Sequence, residues 1–283
     1  MSTRFLREIN VAVGDSAEDF IFVKDLFVKF SIHQEATSSP PKGNIEIYNL
    51  TSESETRIRE KGKRVRLWAG YKGQDLHLFF DGSLRRVERE KRRQERITNI
   101  HIGGKDQKNV QGKGITLSLR GPISVRTVIQ KVVEQMEPLE LGSLDTIPAN
   151  ATYKFNLSFS GPSNAFLDNF LKPFKLEWYE ENGTIKFSEI KKADPIGLSR
   201  GITTISEGTG MVGTPAITEN GIKVRTLLDH RMKLGSVVRV KSIVLGEKRL
   251  DSPYKVTIVE HYGDNWGGQF FTDMEMVPIE PAE

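Results

Sequence analysis

Branched and aromatic residues fall along this chain in short runs that alternate with polar positions, and Gly, Pro, Asn and Asp break the runs. A period of two between turn residues is the signature of half-buried strands, so the pattern predicts a mainly β protein. In the first third the predicted strands are Phe20–Ile32, Asn44–Tyr48, Arg64–Ala69, Leu76–Phe80, Leu84–Arg89 and Arg96–Ile102. Val65, Leu67 and Ala69 alternate with Arg64, Arg66 and Trp68, which gives one apolar face and one face that is wet or at an interface. Thr51 or Ser52 as cap and Gly62 as stop frame a short helix, Glu53–Glu60.

The character changes near Gly112. Val125, Val128, Ile129, Val132, Val133 and Met136 recur at helical spacing behind Ser124, and Pro138 lies beyond the end. This stripe is expected to pack on the insert's own sheet near Phe155, Leu157 and Trp178. A second helix is predicted over Ser163–Phe170, and Trp178–Glu180 with Thr184–Ser188 reads as a hairpin tipped by Asn182-Gly183. From Gly201 strands return, at Ile202–Ser206, Gly221–Leu227, Ser236–Ile243, Tyr254–His261 and Gln269–Val277. One pattern recurs: Ile45 to Leu50, then Gly62 and Val65-Arg66-Leu67, matches Ile222 to Leu227, then Gly235 and Val238-Arg239-Val240. The fold class expected is therefore mainly β with an α+β insert, in three domains: a β unit over 1–112, the insert over 113–200 and a second β unit over 201–283.

Composition narrows the chemistry. The 283 residues, 37% hydrophobic, suffice for substantial cores, and a net charge of +4 is too small to build a one-sided field for nucleic acid. The absence of cysteine excludes disulfides, thiolate metal sites and thiol catalysis. No apolar run approaches ~18 residues and Met1–Asn10 lacks an apolar h-region, so a soluble chain without an export signal is expected. Gly208-Thr209-Gly210-Met211-Val212-Gly213 fits a dinucleotide motif, but Thr214 to Gly221 is a loop sequence with no helix to supply the dipole. His33, His77, His101, His230 and His261 never pair at metal-ligand spacing, and Asp229-His230 has no nucleophile motif to serve. In the basic run Arg85–Arg96, Glu88, Glu90 and Glu95 interleave with the cations, which reads as a charge-paired hairpin. No catalytic, cofactor-binding or metal residue is assigned.

Several segments resemble the tube-like baseplate hub proteins of tailed bacteriophages, the family that includes the late control protein D group. They are Gly43 to Thr51, then Gly62 to Tyr71 and Phe79 to Gly82; Gly210 to Pro215, then Glu219 to Val224, Leu227 to Asp229 and Gly235 to Val240; and His261 to Gly268, followed by Thr272 and Glu275. The resemblance implies two tail-tube-like antiparallel β-barrels flanking a small α+β domain. It implies a non-enzymatic virion protein, a homotrimeric hub connecting the six-fold tail tube to the three-fold central spike, with two barrels per chain matching the symmetries. The partners implied are further copies of the chain, the tail tube or tube-initiator protein, the spike and, as a further candidate, the tape measure protein. No membrane and no specific nucleic acid is expected, and the location is the tail baseplate after synthesis in the host bacterial cytoplasm. Arg64, Arg66, Trp68 and Arg239 are the candidate subunit-interface residues. The competing readings are a nucleic-acid-binding module using Arg85–Arg96 and a β-rich hydrolase.

Overall fold

The computed structural model describes residues 6–15, 20–105, 114–192, 201–242 and 253–279. The first third contains β1 (Arg7–Gly14), β2 (Ile21–Val23), β3 (Val28–Glu35), β4 (Lys42–Tyr48), helix α1 (Ser52–Lys61), β5 (Arg64–Tyr71), β6 (His77–Arg92) and β7 (Glu95–Gly103). The middle contains β8 (Gly114–Leu119), β9 (Ile123–Ser124), α2 (Val125–Val133), β10 (Glu140–Leu141), β11 (Thr152–Tyr153), β12 (Leu157–Pro162), α3 (Ser163–Leu171), β13 (Leu176–Glu181) and β14 (Thr184–Glu189). The last third contains β15 (Thr203–Ile205), β16 (Ala216–Ile217), β17 (Ile222–Leu227), β18 (Val237–Val240), β19 (Pro253–Asp264) and β20 (Phe270–Pro278). The chain is mainly β with an α+β insert, as its alternation predicts. Ile243 and the boundaries drawn at 112 and 200 lie outside the described residues.

Both outer thirds are wired alike. The first runs β3-β4-β7-β6-β5-β1 and the second β16-β17-β20-β19-β18-β15, each strand hydrogen-bonded to the next. Their irregularities coincide as well. Arg64 of β5 lies opposite Ser83, two residues before a bulge at Arg85 in β6, and Val237 of β18 lies opposite Lys255, two residues before a bulge at Thr257 in β19. Counting both ladders from these bulges matches Ile100 with Met274, and so Ile45 with Val224. The sequence pattern had aligned Ile45 with Ile222. A shift of two keeps every side chain on its face, so alternation alone could not detect it. One pairing differs in sense, since β15 runs parallel to β18 where β1 runs antiparallel to β5. The long connection from Ile205 to Val237 is what permits a parallel neighbour.

The two units are one sheet. β3 pairs antiparallel with β19 from Lys29↔Asp264 to Glu35↔Ile258, which links the wirings edge to edge. Each unit curls over its own core. Ile9, Val11, Ile32, Ile45, Val65, Leu67 and Phe80 fill the first, and Val224, Val238, Val240, Val256, Val259 and Met274 fill the second.

Several local expectations are corrected by pairing. β1 was not predicted, although Ile9, Val11 and Val13 alternate and are buried on one face against β5. Phe20–Ile32 divides into β2 and β3 because the chain turns at Asp25, whose φ is 59°. Leu76–Phe80 and Leu84–Arg89 fuse into β6 through Asp81-Gly82-Ser83, which reads as a turn but pairs with β5 throughout and with β7 at Ser83. A Cβ at Gly82 would lie 2.4 Å from the Gly103 carbonyl, so this glycine serves close strand approach.

The insert has its own core, where Val125, Val128, Ile129, Val132, Val133 and Met136 of the α2 region meet Trp178, Phe187, Phe166 and Leu167. Ser124 stands at the N-cap position without a side-chain cap, and the Val125 N–H instead donates to the Ala151 carbonyl at 3.0 Å. Leu157 packs beside this core as expected, but Phe155 is 70% exposed. Ile129→Asp should therefore cost several kcal/mol by burying an unpaired charge, whereas Phe155→Ser should change stability by less than about 1 kcal/mol. Urea unfolding of the two variants beside the wild type measures both.

Candidate assembly site

The outer face of β5 carries three of the four expected contact residues. Arg64 grips Asp81 on β6 with two hydrogen bonds, Nε to Oδ1 at 2.6 Å and Nη2 to Oδ2 at 2.5 Å. Arg66 donates from Nε to the same carboxylate at 3.2 Å and lays its guanidinium 5.4 Å from the centre of the Phe20 ring. Trp68, half-buried, lies further along this face, opposite Leu78 and Asn10. Arg239 is remote in the chain but structurally equivalent to Arg66, since Arg64 and Val237 match. It too is half-buried, and its Nε is buried without a hydrogen-bond partner among the described residues. The structure thus joins Arg64 and Arg66 through Asp81, a residue the alternation pattern did not single out.

The Asn-Gly hairpin β13–β14 is the part of the insert that touches both β units. At its tip, with φ of 53° at Asn182 and 84° at Gly183, Asn182 Oδ1 accepts from the Asp81 backbone N–H at 3.1 Å. Glu180 Oε1 accepts from the Lys105 backbone N–H at 2.6 Å. On the other side, Lys255 of β19 is wholly buried and donates to Glu177 Oε1 at 2.5 Å, the Ser188 hydroxyl at 3.0 Å and the Glu189 carbonyl at 2.7 Å. Tyr179 donates to the Leu234 carbonyl at 3.3 Å. Burial alone would raise the Glu181 carboxyl, but Lys186 and Lys233 outweigh it and hold it below its ordinary value. Glu180 has less help. Burial pushes it up to about 7 against the opposing Lys105 hydrogen bond and the Arg85 charge.

The junction of the two units has its own fittings. Asn265, in the β19–β20 turn, accepts from the Val28 N–H and donates to the Leu26 carbonyl, and Arg7 donates to the Gly268 carbonyl at 2.7 Å. His77 and His230 stack with ring centres 3.4 Å apart in the lining of a cleft of about 220 Å³. Burial, then the charge of His77, lowers the His230 pKa, which favours a neutral His230 ring. Asp229 is held by Arg231. The glycine motif forms a three-residue turn, Glu207–Thr209, followed by Gly210 at φ 107° and Gly213 at φ 73°, and no α-helix begins there. In the basic run Arg86 pairs with Glu88, Arg89 with Glu55 of α1 and Arg92 with Glu90.

A doubled β wiring flanks an α+β insert, and a family model accounts for nearly the whole of it. The family model described as Baseplate hub gp41 matches residues 8–275. The chain belongs to that family of bacteriophage baseplate hubs. Solved structures share the hub's fold at low identity. The tail protein from Neisseria meningitidis MC58 aligns with a TM-score of 0.63 at 11% identity, over 98% of this chain and 97% of that one. The 43 kDa tail protein of prophage MuSo2 from Shewanella oneidensis gives 0.61 at 7%, over 96% of each chain. The E. coli c3393 protein, a type VI secretion component described as similar to the T4 tail proteins gp27 and gp5, gives 0.61 at 11%, over 90% of this chain and 74% of that one. No curated protein sequence matches the hub.

Two predictions follow from the hairpin. Lys255→Ala leaves the Glu177 carboxylate without its cationic partner and should destabilise the hub by about 3 kcal/mol, read by denaturant unfolding. Glu180 stays protonated in the folded hub after it has ionised in the unfolded chain, so stability falls as pH rises from its ordinary 4.5 to about 7. Each pH unit in that window removes up to about 1.4 kcal/mol. Glu180→Gln, which keeps an acceptor for Lys105, should therefore melt above wild type at pH 8 and alongside it below pH 4.5; an equal gap at both pH values contradicts this.

Proposed function

We propose that this hub is a homotrimer that joins the six-fold tail tube to the three-fold central spike. The doubled strand order supports the reading. A chain that carries the same wiring twice presents six tube-type positions in a trimer while the chain itself repeats three times. The partners are copies of itself, the tail tube or tube-initiator protein, the spike, and the tape measure protein as a further neighbour. Its place is the virion's tail baseplate, after synthesis in the host bacterial cytoplasm. The role is mechanical and includes no enzymatic step.

The division into 1–112, 113–200 and 201–283 belongs to the same reading and is supported by three cores that follow these segments except where Leu228 and Phe270 enter the first and Ala36 and Tyr179 enter the last. Arg64, Arg66, Trp68 and Arg239 remain the proposed contact residues on the outer faces. Trp68 is the sharpest of them, because indole is enriched at interface hot spots and the two arginines beside it already share Asp81. Ion pairs in the Arg85–Arg96 run leave fewer free cations for phosphate, which favours the assembly reading over a nucleic-acid module.

Sedimentation of the purified hub should show a trimer, and Trp68→Ala should weaken its association by about thirtyfold, equivalent to about 2 kcal/mol, while the chain stays folded. A hub that remains monomeric and binds neither tube nor spike protein contradicts the reading.

A further inference from the structure

The link between the units inside one chain has a counterpart that the single chain leaves unmade. Beyond its bulge, β19 gives one edge to β20 and the other to β3, so Ile258–Asp264 is paired on both sides. The equivalent stretch of β6, Arg86–Arg92, pairs with β7 alone among the described residues. Val259 is wholly buried, whereas its equivalent Val87 is only partly buried. The strand matching β3 is β16. Ile217 faces Ile222 of β17 as Ile32 faces Gly43 of β4, which makes Ile217 the counterpart of Ile32. Ile32 is 0% exposed and Ile217 is 55% exposed. Among the described residues, one unit thus has an acceptor edge without a donor, and the other has a donor edge without an acceptor.

We infer that β16 of one hub protomer adds antiparallel to the Arg86–Arg92 edge of β6 in the next, with Ile217 opposite Arg89 and Ala216 opposite Glu90. The register is copied from within the chain, where Ile32 lies opposite His261 and Ser31 opposite Tyr262. A second copy is the occupant that the geometry selects, because the donor of the same wiring is the chain's own β16, already seated on β17. The two edges are different surfaces, so the contact runs head to tail and closes when rotation brings the last β16 to the first β6. Each join extends the sheet, and ion pairs along β6 hold its charged side chains on the two faces, away from the edge. The inference rests on the trimeric reading and names its contact.

The hub has no cysteine, so an engineered pair reports without background. Directly opposed residues in an antiparallel pair lie about 4.5–5.5 Å apart at Cα, within disulfide range. In Arg89→Cys/Ile217→Cys, Glu55 keeps Arg59 as a partner, which limits the damage to α1. Mild oxidation should give species of two and three linked chains on a denaturing gel without reductant. Glu88→Cys/Ile217→Cys, whose first cysteine points to the opposite face of the sheet, should give none. A sample that sediments as a trimer but does not cross-link through 89 and 217, or that forms the disulfide inside one chain, overturns this contact and leaves the trimer standing. A wild type that sediments as a monomer, with no cross-linking in the variant, overturns both.

Discussion

The antiparallel ladder between β3 and β19 is the interaction on which the rest of the hub depends. It turns two repeats that could have been beads on a string into one sheet, and so sets the angle between them. Main-chain hydrogen bonds do this without demanding particular side chains, since every residue in the stretch brings a donor and an acceptor. The side chains then lock the joint: Asn265 ties the β19–β20 turn to the start of β3, and Arg7 reaches across from β1. The ring proposed above would need this rigidity, because an angular error at the internal joint would recur at every turn of the assembly.

The insert acts as a brace across that joint. One hairpin, Leu176–Glu189, reaches Asp81 and Lys105 on one unit and Lys233, Leu234 and Lys255 on the other. Its contacts are mostly charged or hydrogen-bonded, and several are buried, which makes them costly to leave unpaired and therefore selective for one arrangement. Glu180 is the least compensated of these groups, which links the seating of the brace to pH. Tyr179 also enters the core of the second unit, and the rest of the insert's apolar burial lies between α2, α3 and the inner faces of its strands.

Much of this was legible in the sequence wherever a local rule decides the outcome. Alternation placed Val65, Leu67 and Ala69 inward and Arg64, Arg66 and Trp68 outward, because strand period alone sets the face. Helical spacing marked the α2 stripe, and Asn182-Gly183 marked the hairpin, because that dipeptide tolerates the positive φ its turn requires. The order of the segments, from Ile45 to Trp266, was enough to point to the baseplate hubs. What remained hidden depended on partners far away in the chain. β6 runs unbroken through Asp81-Gly82-Ser83 because β5 pairs with all three and β7 takes over at Ser83, and the two-residue offset of the repeat is visible only in the ladders. Asp81 emerged as the meeting point of Arg64, Arg66 and Asn182 because hydrogen bonds across strands and between domains leave no periodic trace. The sequence by itself determined which residues turn inward, where the helices lie and that a β pattern occurs twice; the tertiary structure alone decided how the copies join, because a strand edge recognises backbone, and the backbone offers the same donor and acceptor in every residue but proline.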